Sequence, residues 1–137
     1  MNVCTLSQHY APLVGRLLIA SIFLISGFNK VLGFAATAGF MTSKGLPVAD
    51  ALLVATILIE IGGGLMLVVG WQARWGATAL LLWMIPVTYV FHAFWAVPEA
   101  EVRMQTIQFQ KNLAIMGGLL YVIAFGSGPY SLRKEKC

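Results

Sequence analysis

The sequence predicts an all-α fold, a transmembrane four-helix bundle, and three observations carry that prediction. The chain of 137 residues is 59% hydrophobic and only 10% charged. Its mean hydropathy is +0.83. Soluble domains carry about a quarter charged residues, so this composition cannot cover a water-facing surface. Four apolar stretches follow one another, separated by glycine and proline, and each is close to the roughly 20 residues a membrane helix needs.

The spans fall at about 12–34, 48–69, 75–96 and 105–125, within one domain covering 1–137. Pro12 suits the first turn of the first helix. Gly45-Leu46-Pro47 leads into the second span and Gly70 ends it. Pro98 closes the third, and Gly126-Ser127-Gly128-Pro129 closes the fourth. Such breakers mark element ends. The leading residues 1–11 hold no Lys or Arg, and the first apolar run exceeds a signal-peptide core, so the first span reads as retained. Residues 35–47 are modestly amphipathic and read as a short helix or re-entrant piece at the membrane interface.

Four spans put both tails and the turn before Arg74 on one side of the membrane. That side holds Arg74, Arg133, Lys134 and Lys136, against Lys44 and Arg103 on the other. Lys and Arg favour the cytoplasm, so both termini are expected there. The net charge of +4 forms no dense basic stripe, which excludes a nucleic-acid partner. Cys4 and Cys137 lie in the two tails with no C-x-x-C pair, so no thiol relay runs through the membrane.

Polar residues inside the spans carry the functional information, because a charge near the bilayer centre costs at least about 2.5–3.5 kcal/mol. Arg16, Lys30, Glu60, His92 and Lys111 stand out. With a rise of about 1.5 Å per residue, Lys30 and His92 sit one turn from the outer ends of their spans and Lys111 slightly deeper. Glu60 sits near the midplane, and Arg16 one turn from the inner end. Helical periodicity gives each helix one polar stripe: Arg16 with Lys30, Thr56 with Glu60, Thr88 with His92, and Gln108 with Lys111 and Asn112.

Simpler readings compete. Arg16 and Lys30 are equally explained by side chains reaching to the headgroups, and His92 beside Trp95 by an interfacial aromatic belt. Glu60 has no such escape. It must be protonated or paired, and Arg16 or Lys111 are the expected partners. Gly62-Gly63-Gly64 and Gly117-Gly118 read as close helix packing. Pro86 is expected to kink the third span.

The pieces Gly15-Arg16-Leu17, Ser26-Gly27-Phe28-Asn29-Lys30, Glu60-Ile61-Gly62-Gly63-Gly64-Leu65, Phe91-His92-Ala93-Phe94-Trp95 and Gln108-Phe109-Gln110-Lys111-Asn112-Leu113 stand in order at set spacings. In them the chain resembles the DoxX family over nearly its full length. The resemblance implies a multi-pass protein of the bacterial inner (plasma) membrane, linked to quinone-dependent or oxidative-stress-associated redox assemblies. Three functions follow as expectations. The first is a quinone-linked redox subunit in which Lys30, His92 and Lys111 surround a quinone headgroup and Glu60 passes protons. The second is a non-catalytic scaffold for a soluble redox partner protein, and the third a small proton-coupled transporter.

The candidate ligand-binding residues are Lys30, Glu60, His92, Gln108, Lys111 and Asn112, with Arg16 and Glu60 as a structural charge pair. No catalytic residue is assigned, and the readings divide between an enzyme subunit and a non-catalytic protein. No intrinsic cofactor is expected beyond a quinone. His9 and His92 fall on opposite sides, which excludes paired haem ligation, and no nucleotide motif or metal-ligand spacing occurs. The lipid bilayer is the expected partner, with a homo-oligomer as a further expectation.

Overall fold

A computed structural model describes residues 2–133, so Lys134, Lys136 and Cys137 lie outside the described residues. Four long helices pack side by side with alternating direction: α1 (Val3–Leu32), α3 (Ala49–Val69), α4 (Ala73–Phe91) and α5 (Glu99–Phe125). A short helix, α2 (Phe34–Ser43), sits between α1 and α3, and a 3-10 turn, Phe94–Ala96, links α4 to α5. The closest packing is between α1 and α3, with α4 against both α3 and α5, while α1 and α5 are the most loosely packed neighbours among the long helices. Helices α1 and α3, and α4 with its following turn, are long and apolar enough to cross a membrane. Helix α5 is less apolar because Gln105, Gln108, Gln110, Lys111 and Asn112 crowd its first half.

The exterior is that of a protein whose solvent is lipid. Leu18, Ile25, Leu58, Leu82, Tyr121 and Phe125 all project outward, from all four long helices. The interior is small: Ala20, Phe23, Leu67, Ala73, Ala77, Leu80, Met84, Leu119 and Val122 form one apolar core. Lipid tails give apolar side chains no reason to leave them, so close backbone approach and internal polar bonds hold such a bundle. Gly63 and Gly64 supply the approach. A Cβ on Gly63 would lie 2.7 Å from Leu80 Cγ on α4, and one on Gly64 2.8 Å from Leu24 Cδ2 on α1.

The helix limits differ from the sequence expectation in ways that matter for the site. Helix α1 begins at Val3, with Pro12 inside it and not in its first turn. It also ends lower than expected. Gly27 lies beside Glu60 and Ile61, and Gly64 beside Ala20 O, which fixes the register of the antiparallel pair. Leu32 is therefore level with about Ala55–Thr56, in the first third of α3 and roughly 10 Å short of its first residue. Helix α2 fills that space, packing Ala38 and Met41 on Ala49 and Leu53.

The span expected at 75–96 breaks at His92, which caps α4, and α4 runs through Pro86 as one helix. The span expected at 105–125 is the inner part of a longer helix that starts at Glu99 after Pro98. Glu99 and Glu101 in its first turn favour that start, because carboxylates interact well with the positive end of a helix.

At the other end of the bundle Arg16 is buried, beside an apolar-walled cavity of about 480 Å³. Its Nη1 donates to Leu67 O at 2.8 Å, near the end of α3, and its Nη2 donates to Tyr130 O. The segment after α5 is bound there by Leu132 N to Val69 O at 3.0 Å. Gly70 permits this closure with a φ of +68 and no side chain against Arg16.

Replacing Gly63 by Val should lower stability by about 1–3 kcal/mol through overpacking against Leu80. Gly62→Val, where nothing lies within 4 Å of an added Cβ, should cost much less. Thermal unfolding of both variants in detergent reads the difference, and equal losses would show that the α3–α4 approach is not close.

Candidate functional site

The site is built on the low end of α1. Because α1 stops roughly 10 Å short of the first residue of α3, Lys30 lies within the bundle, below the start of α3. Its Nζ turns inward to Glu60, 3.0 Å from Oε1 and 2.9 Å from Oε2, and it also donates to Ser26 Oγ one turn earlier on α1. The Lys30 side chain is 25% exposed and that of Glu60 11%. The ion pair lets each charge meet its opposite in a partly buried position. Glu60 thus takes Lys30 as partner, not the Arg16 or Lys111 expected from the sequence. Arg16 is engaged at the opposite end of the bundle. The expectation fails because it places the end of α1 at the membrane surface.

Two cavities adjoin the pair. One of about 210 Å³ is lined by Ser26 and Lys30 from α1, Glu60 from α3, Val87 and His92 from α4, and Lys111 and Asn112 from α5. The other, of about 240 Å³, lies under α2 and is walled by Thr37, Phe40 and Met41, with Phe91 and Thr56 across it. Lys30, Glu60, Val87 and His92 line both, so the ion pair stands in the partition between them. Phe40 meets Phe91 at a ring-centroid distance of 5.8 Å, and both rings line the second cavity.

Each polar side chain around the first cavity is fixed by a neighbour, as preorganised sites require. His92 Nδ1 is 2.9 Å from Gln105 Oε1, so the ring donates there and Nε2 remains for a ligand. Asn112 is buried, and its Nδ2 donates to Thr88 Oγ1 at 2.9 Å. Lys111 is exposed at the rim and donates to Gln108 Oε1. Of the sequence-derived candidates, Lys30, Glu60, His92, Lys111 and Asn112 therefore meet around one cavity. Gln108 acts behind Lys111 and does not line it, and Arg16 takes no part.

Sequence reasoning misses Ser26 and Gln105. Ser26 lies one helical turn before Lys30, a spacing that could have found it. Gln105 is hidden, because its approach to His92 depends on the break after Phe91. Among the described residues no group of three His, Cys, Asp or Glu converges as a metal site would require.

The bundle and its partly buried ion pair define an integral membrane protein with a polar cavity lying among its helices. The DoxX family model matches residues 11–93, and the chain belongs to the DoxX family. It is 32% identical over 122 residues to the inner membrane protein YqjF of Escherichia coli K12, covering 89% of this chain and 88% of that one. It is 28% identical over 123 residues to the inner membrane protein YphA of the same organism, covering 90% and 88%. A shorter match, 34% over 73 residues, is to the Surfeit locus protein 4 homolog of Schizosaccharomyces pombe. It covers 52% of this chain and spans only 24% of that protein's length. No solved structure matches.

Lys30→Met should strand Glu60 and cost on the order of 3 kcal/mol, and Glu60→Gln should be destabilising by stranding Lys30. The double variant should recover most of the loss, because it removes both charges together. Unfolding of the three variants in detergent forms the cycle. Losses that simply add would show that the two side chains do not interact.

Proposed function

We propose that this protein is a quinone-linked subunit of the bacterial inner membrane, whose 210 Å³ cavity receives a quinone headgroup from the bilayer. The observation that carries the reading is the convergence of oriented polar side chains from four helices on a space inside a lipid-facing bundle. Ligand sites combine such apolar walls with a few placed polar groups. Here Ile22, Phe23, Met84 and Ile115 supply the apolar walls.

Reduction of a quinone to a quinol takes two electrons and two protons, and negative charge develops on the ring oxygens as electrons arrive. Donors held in a low-dielectric site stabilise that charge without reorganising. Lys111 and the second Nδ2 hydrogen of Asn112 are placed to provide them, with His92 Nε2 donating when the ring is protonated; the electrons come from a partner redox protein and the two protons from solvent. The Lys30–Glu60 pair supports a role as the fixed wall of the site. That role argues against Glu60 as a freely titrating carrier in a transporter. An inner-membrane location agrees with the names of the two Escherichia coli relatives. The Lys/Arg bias supports cytoplasmic termini and a cavity in the outer half of the membrane.

Purification in mild detergent, followed by solvent extraction and mass spectrometry, tests the proposal. Quinone should be retained well above its share of the bulk lipid, and Ile115→Trp, which drives a ring into the cavity, should reduce it several-fold while helical content is unchanged. Quinone at the bulk level in both proteins, with a soluble redox protein retained instead, would overturn this reading in favour of the scaffold.

A further inference from the structure

The cavity's hydrogen bonds also say which charge its occupant carries. Lys30 has three N–H donors, and all three are used, two by Glu60 and one by Ser26. Its charge is matched and it has nothing left to offer a ligand. Lys111 differs. Its partner is the neutral amide oxygen of Gln108, and among the described residues no carboxylate lies within ion-pair distance of its Nζ. Two of its donors remain.

The charged and titratable groups facing the cavity are Lys30 from α1, Glu60 from α3, His92 at the end of α4 and Lys111 from α5. Lys30 and Glu60 cancel. With His92 neutral the cavity carries one positive charge, and with His92 protonated it carries two. A cation beside hydrocarbon is costly until a counter-charge meets it.

We infer that the site selects a lipid-soluble anion: an amphiphile with a negatively charged oxygen head, bound by Lys111 with the second Nδ2 hydrogen of Asn112 as a further donor, His92 Nε2 joining them when the ring is protonated. This rests on the headgroup-site reading and deepens it by naming the charge of the head. Two sources share the chemistry, an acidic hydroxyquinone and a fatty-acid carboxylate. The side of the cavity between α1 and α5 suits entry of either from the bilayer, because those two are the most loosely packed neighbours among the long helices.

The test compares 2-hydroxy-1,4-naphthoquinone, an anion at neutral pH, with 2-methyl-1,4-naphthoquinone, a neutral molecule of similar size. Binding is measured by equilibrium dialysis against the full chain in nanodiscs of uncharged lipid, with empty nanodiscs subtracted. The anion should bind at least about 10-fold more tightly, a difference of about 1.4 kcal/mol. Lys111→Gln should remove that preference, weakening the anion at least about 10-fold and the neutral quinone much less, while Lys111→Arg should keep it. Equal binding of the two quinones by the native chain would overturn the inference and leave the headgroup site intact. The same holds if the preference survives in Lys111→Gln. Binding of neither quinone would overturn both. Dodecanoate as competitor distinguishes the sources. Displacement of the bound hydroxyquinone supports a site that reads the anion alone, and retention supports one that reads the anion together with the ring.

Discussion

A charge in hydrocarbon must find its opposite, and in this bundle Lys30 and Glu60 find each other. Much of the surrounding structure can be read as the means of bringing them together. Gly27 lets α1 lie against Ile61 and the Cβ of Glu60, and Gly64 lets α3 lie against Leu24 and the backbone of Ala20. This close contact sets the height at which Lys30 stands. Helix α1 then ends early, α2 covers the gap, and the pair becomes the partition between two cavities. The pair is worth little as net stability, since desolvation offsets much of the attraction. Its value is specificity of register, because a shift of α1 along α3 would separate two charges.

The two ends of the bundle solve their charge problems differently. Arg16 is buried and bonds to the carbonyl oxygens of Leu67 and Tyr130. The first belongs to the last turn of α3, where the helix dipole favours a cation. That end joins α1, α3 and the segment after α5 with apolar surfaces around them. The opposite end keeps its polar groups around open space. The contrast is in the polar groups: the cavity of about 480 Å³ beside Arg16 has otherwise apolar walls, while the one beside Lys30 and Glu60 gathers several polar side chains.

How much of this is legible in the sequence depends on which interactions are local. The spans are readable because lipid demands long apolar helices, and the polar stripes because helical periodicity is local. Together they direct Lys30, His92, Lys111 and Asn112 toward one interior on the strength of spacing alone. The partner of Glu60 is not readable, since it depends on where α1 stops relative to α3, a matter of packing between two glycine-lined faces. Spacing puts His92 on a helix face, yet it caps α4 and reaches Gln105 across a break with no strong sequence marker. The family match reaches residue 93 and so includes Lys30, Glu60 and His92. Lys111 and Asn112 come from α5, beyond it.

The site stands on Glu60 being ionised and matched by Lys30 within the membrane. Infrared difference spectroscopy of the native chain and Glu60→Gln, labelled with ¹³C in the glutamate carboxyl groups and held in nanodiscs, observes this directly. At neutral pH the difference should contain the paired stretching bands of a carboxylate anion from Glu60. A protonated-carboxyl stretch from Glu60 in their place would contradict the ion pair, since a neutral Glu60 would leave Lys30 as an unmatched charge and remove the partition on which the site is built.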